Sequence, residues 1–115
     1  MLEVTDKTFE ALVEQEKRPV LLDFFSQDCP PCRMLAPMLD ELAAAVPGVV
    51  FGKTDVFANS ELQDRFGVMS VPTLILFLKG QEADRRIGAK TKSELLAWIK
   101  DLTGDSTEAV RVQLE

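Results

Sequence analysis

A six-residue apolar run with a single carboxylate inside it, Val20-Leu21-Leu22-Asp23-Phe24-Phe25, sets the tightest limit on the fold. It is too short for an independent helix and too apolar to leave one side wet, so it reads as a strand buried on both faces. Such a strand needs helices above and below it. The neighbouring patterns supply them. Leu2 to Val4 reads as a short first strand, and Thr5 or Asp6 as the cap of a helix through Gln15, with Phe9, Leu12 and Val13 on one face. Leu35, Met38, Leu39, Leu42 and Val46 recur at helical spacing behind the central strand, with Pro37 inside the helix, where it should kink it, and Pro47-Gly48 ending it. Val49 to Asp55 is a further strand and Ser60 to Phe66 a short helix. Thr73 to Leu78 and Glu82 to Ile87 form two strands across a Lys79-Gly80-Gln81 turn. Thr91 with Glu94 forms a capping box that opens a last helix bearing Leu95, Leu96, Ile99 and Leu102, stopped at Gly104. The order β-α-β-α-β-α-β-β-α predicts an α/β domain with a central mixed sheet of about five strands flanked by about four helices.

A chain of 115 residues fits one domain. Residues 1–103 carry the folding pattern, and 104–115 read as a short acidic tail. No apolar run approaches the roughly 20 residues of a membrane span. The start, Met1-Leu2-Glu3-Val4-Thr5-Asp6, has neither a basic nor a long apolar region, so the expected location is cytoplasmic and no membrane partner is expected. The formal charge of −6, with no basic cluster longer than Arg85-Arg86, argues against nucleic acid.

Cysteine occurs twice, at Cys29 and Cys32, and histidine is absent. A structural zinc site needs more ligands than this. A haem-attachment motif needs a histidine where Arg33 stands. Iron–sulfur ligation also lacks ligands, and histidine-based acid–base catalysis is excluded. Redox use of the pair remains, or a pair without chemistry. The motif Cys29-Pro30-Pro31-Cys32 sits between a strand and a helix. There the helix dipole and unpaired N–H groups favour a thiolate on the first sulfur. The second cysteine lies one turn on and can close a small disulfide. Cys29 is thus the expected nucleophile and Cys32 the resolving thiol. Asp23, set among apolar neighbours, should have a raised pKa and exchange protons near neutrality. Gly48-Val49-Val50-Phe51-Gly52-Lys53-Thr54 has only three residues between its glycines and reads as strand rather than as a phosphate loop. With no dinucleotide fingerprint either, no cofactor is expected.

These pieces, in this order, resemble the thioredoxin family over residues 2 to 102. The resemblance rests on Val20–Phe25 leading into Cys29-Pro30-Pro31-Cys32-Arg33-Met34-Leu35-Ala36-Pro37, on Lys53-Thr54-Asp55-Val56, on Phe66-Gly67-Val68-Met69-Ser70-Val71-Pro72-Thr73, and on Lys79-Gly80 with Ile87-Gly88-Ala89. It implies a protein-disulfide reductase of thioredoxin fold, in which residues 1–103 are the thioredoxin-like domain. It also implies that Pro72 is a cis-proline leaving the preceding Val71 backbone free for substrate, and that Asp23 moves the proton of Cys32. Lys53 would offset the burial of Asp23. Pro30, Pro31, Val71, Pro72 and Gly88 would form the substrate surface. The implied partners are client proteins carrying disulfides and a thioredoxin reductase as electron donor, with the chain acting as a monomeric electron carrier.

The chain departs from the family pattern beside the nucleophile. Asp28 stands where the family has tryptophan, and Pro30 where it has glycine. Pro30 removes one backbone N–H near the Cys29 sulfur and stiffens the loop. Asp28 brings a negative charge, and Arg33 opposes it. A reducing rather than oxidising protein is expected. Phe25 replaces a second family tryptophan, leaving Trp98 on the last helix as the only one. Two other readings fit the same fold: a thioredoxin-like adaptor that works by binding alone, and a disulfide isomerase or oxidase.

Overall fold

The computed structural model describes residues 1–104, so all of the expected tail beyond Gly104 lies outside the described residues. Five strands form one sheet: β1 (Leu2–Glu3), β2 (Val20–Phe25), β3 (Val50–Asp55), β4 (Thr73–Leu78) and β5 (Gln81–Ile87), in the order β1-β3-β2-β4-β5. β1, β3 and β2 run parallel, whereas β4 and β5 are antiparallel additions. Three α-helices accompany them: α1 (Pro30–Ala45), α2 (Ser60–Phe66) and α3 (Lys92–Thr103). The expected mixed α/β sheet and its element order are present.

β2 lies at the centre and is covered on both faces, which is why its run is apolar throughout. Leu21, Phe51, Leu74 and Leu76 meet Leu35, Leu39 and Leu42 of α1 and Leu95, Trp98 and Ile99 of α3. On the other face Leu22, Phe24, Ile75 and Phe77 meet Phe9, Val13, Leu62 and Val68. Each fully buried leucine or phenylalanine contributes about 1.5–3 kcal/mol relative to exposure. Strand alternation puts Asp23 on the α1 face, between Leu21 and Phe25.

The segment after β1 corrects the expected helix over residues 5 to 15. Thr5 caps only a turn, the Thr8 N–H donating to Thr5 Oγ1 at 3.2 Å, and the residue that precedes the helix is Phe9, which makes no side-chain cap. The chain then widens into a five-residue π-helix, Glu10–Glu14, closed by the Gln15 N–H donating to the Glu10 carbonyl at 2.9 Å. Tertiary packing holds both ends. Phe9 packs at a tilt against the Phe66 ring and edge-to-face against Phe77, with centroids 5.4 and 5.6 Å away. Gly80, at φ 80° in the β4–β5 turn, presses on the Glu14 backbone, where a Cβ would overlap the Glu14 carbonyl oxygen. Asp6 was the other candidate cap. Its carboxylate instead accepts from the Leu62 N–H of α2 at 3.0 Å.

Candidate active site

β2 ends at Phe25, and the loop Ser26-Gln27-Asp28 carries the chain to α1. Cys29 is the N-cap of α1, with Pro30 and Pro31 as its first helical residues. Proline suits these positions, since its fixed φ matches the helix and the N–H it lacks would have no intrahelical partner. The consequence is local. Of the amides that normally face a helix N-cap, the one present is that of Cys32, which donates to Cys29 Sγ at 3.2 Å. Cys29 and Cys32 are joined by a disulfide with Cα atoms 5.2 Å apart, and both are buried. Pro30, Pro31, Arg33 and Met34 are exposed around them. The Arg33 guanidinium donates to the Gln27 carbonyl at 3.3 Å, which ties the loop before Cys29 to α1. The helix continues through Pro37 without interruption.

Beneath α1 lies a cavity of about 210 Å³ lined by Asp23, Phe25, Ser26, Cys32, Arg33 and Lys53, among others. Asp23 is 2 % exposed, and its Oδ1 has no hydrogen-bond partner among the described residues. Burial pushes its pKa up to about 7, and the positive charge of Lys53 restrains that rise. Lys53 is the register partner of Asp23 across the parallel β2–β3 pair. It is half-buried, and its ammonium lies 5.8 Å from the centroid of the Phe25 ring. A carboxyl that titrates near neutrality, opening into the same cavity as a cysteine, can take up or return a proton during thiol chemistry.

The remaining sequence-derived residues form a second edge. The Val71–Pro72 peptide is cis. Thr73 pairs with Phe24, so Pro72 lies beside the end of β2 from which the cysteine loop departs. The Gly88 N–H donates to the Pro72 carbonyl at 2.9 Å, which brings Gly88 to the same place. The backbone N–H and C=O of Val71 take no backbone hydrogen bond among the described residues. Thus Asp23, Cys32 and Lys53 share one cavity, while Val71, Pro72 and Gly88 line the neighbouring edge. Sequence reasoning missed Ser26, which is 6 % exposed and lines the cavity. Its signal was modest: the first polar residue after the apolar run. Among the described residues no group of three or more His, Cys, Asp or Glu side chains is placed to hold a metal ion.

The thioredoxin family model matches residues 1–101. The chain is 42% identical over 102 residues to a thioredoxin of Mycobacterium tuberculosis, covering 88% of each chain. It is 37% identical over 99 residues to a thioredoxin of Rickettsia bellii, covering 85% of this chain and 94% of that one. It is 43% identical over 102 residues to the bifunctional thioredoxin reductase/thioredoxin of Mycobacterium leprae, covering 88% of this chain and 22% of that much longer protein. A disulfide at a strand-to-helix junction, the sheet order around it and these likenesses agree: the chain belongs to the thioredoxin family and is a thiol–disulfide oxidoreductase of the thioredoxin type.

Proposed function

We propose that the chain reduces disulfides in client proteins, with Cys29 as nucleophile, Cys32 as resolving thiol and Asp23 as the proton acceptor for Cys32. In the reduced protein the Cys29 thiolate attacks one client sulfur. The client's other sulfur leaves as a thiolate and is protonated. Cys32 passes its proton to the Asp23 carboxylate and attacks Cys29 Sγ, which releases the second client sulfur and closes the Cys29–Cys32 bond. Two electrons pass to the client, and a thioredoxin reductase returns them. The fusion of reductase and thioredoxin in the relative from Mycobacterium leprae supports that donor.

Lys53 restrains the pKa of Asp23, so that the carboxyl is part ionised near neutrality. Val71, Pro72, Gly88, Pro30 and Pro31 receive the client, and the free Val71 backbone supports an extended client segment pairing there. Residues 1–103 act as one domain, a monomeric carrier in the cytoplasm without a bound cofactor. Among the described residues no helix is long and apolar enough to cross a membrane. The observation that carries the reading is the buried Asp23 carboxyl, without a hydrogen-bond partner, sharing a cavity with Cys32. Reduction of insulin disulfides tests it. The wild type should precipitate insulin chains in the presence of dithiothreitol well above the rate of dithiothreitol alone, and Cys29→Ser should fall to that background. Equal, negligible activity in both proteins would favour an adaptor that works by contact.

A further inference from the structure

Lys53 carries its charge in an unusual setting. It neighbours Asp23 on the next strand, yet no ion pair within 4.0 Å forms between them or between Lys53 and any other described residue. Glu3, its register partner on β1, is exposed and unpaired with it. The ammonium sits instead over the face of Phe25, 5.8 Å from the ring centroid and within the range of a cation–π contact. Phe25 and Lys53 both line the cavity that holds Asp23 and Cys32.

We propose that the Phe25 ring is the seat that keeps the Lys53 ammonium beside the buried Asp23 carboxyl, which makes Phe25 a positioning residue of the proton path. An ammonium is strongly hydrated and its four-carbon stem is flexible. Without a partner at the cavity wall it would turn outward to water, as lysines usually do. The ring supplies that partner without neutralising the charge. The carboxyl therefore feels the cation yet keeps its freedom to bind a proton, which a direct ion pair would take away. The other groups facing Asp23 do not substitute for it. Arg33 is turned to the Gln27 carbonyl, the Met1 ammonium at the cavity wall is paired with the Asp40 carboxylate at 3.5 Å, Cys32 is neutral in the disulfide, and Leu74 on β4 is apolar.

This inference deepens the proposed function and rests on it only for its meaning in catalysis. The seat itself is tested by titrating the Asp23 carboxyl in the oxidised full chain by carbon NMR. Lys53→Met should raise the midpoint, because the cation is gone. Phe25→Leu keeps an apolar wall but removes the π face, and should raise the midpoint in the same direction by about half a pH unit. Phe25→Trp should leave the midpoint at or below the wild-type value, since indole is the better seat. Circular dichroism confirms folding, and Phe25→Met repeats the test if leucine packs poorly. A Phe25→Leu or Phe25→Met midpoint equal to or below that of the wild type would overturn the seat, and so would a Lys53→Met midpoint that does not rise. Failure of the catalytic reading looks different: the midpoints would move as stated, but Asp23→Asn would release client at the wild-type rate.

Discussion

At the N-terminus of α3, Thr91 and Glu94 close a reciprocal box: the Glu94 N–H donates to Thr91 Oγ1 and the Thr91 N–H to Glu94 Oε1, both at 3.1 Å. At the N-terminus of α1 the capping atom is the Cys29 sulfur, two prolines stand where amides would be, and Cys32 supplies the donor. Both helices pack on the same apolar cluster, but the polar groups under α3 are paired, Trp98 donating to Asp84, whereas under α1 lies a carboxyl whose Oδ1 has no partner among the described residues. The first terminus has its polar groups satisfied and contributes stability. The second leaves polar groups unsatisfied and contributes chemistry. Local rules are broken where a sulfur must make and break bonds, and kept where the helix only has to begin.

Substitutions at the two ends should therefore have opposite signs. The larger effect belongs to Asp23. Its folded pKa, about 7, stands above the ordinary carboxylate value of 3.8 because of burial. Between those values the unfolded chain gives up a proton that the folded one keeps, so stability falls as pH rises from about 4 to about 7 and then levels. A difference of about three in pKa corresponds to about 4 kcal/mol. Asp23→Asn removes that penalty. Urea unfolding of the oxidised protein should show the variant more stable than wild type by up to about 4 kcal/mol at pH 8, with the gap closing near pH 4. A gap independent of pH would mean that the carboxyl is not the source. At the other terminus Thr91→Ala should destabilise by about 1 kcal/mol at pH 8 and by less near pH 4, since the Thr91 hydrogen bonds hold the Glu94 carboxyl below its ordinary pKa and that part fades as Glu94 takes up a proton. The same unfolding curves check it, and a loss greater near pH 4 than at pH 8 would break the comparison.

Much of this contrast was legible in the sequence. The Thr91–Glu94 box, α2 and β4 follow from residue type and spacing, and the structure places them at the expected residues. The cavity residues Asp23 and Cys32 were legible because one interrupts an apolar run and the other closes a four-residue motif. What escaped depends on partners distant in sequence. The π-helix at Glu10–Glu14 is held by Phe66, Phe77 and Gly80, which local periodicity does not encode. In the sequence Phe25 stands out only as a missing tryptophan, since its contact with Lys53 exists once β2 and β3 pair. Trp98 was placed on the last helix, yet not its hydrogen bond to Asp84 at 3.0 Å or the Arg86 guanidinium 5.0 Å from its ring, which pin α3 to β5.

The donor-poor terminus of α1 governs the Cys29 thiolate, and the pKa of Cys29 in the reduced protein tests this most directly. Pro30→Gly restores one N–H at the first position of the helix and leaves both cysteines in place. Thiolate absorbance followed against pH should show the Cys29 pKa falling by about half a pH unit or more relative to wild type, because a thiolate gains from each added donor. A Cys29 pKa in Pro30→Gly equal to or higher than that of the wild type would contradict the account.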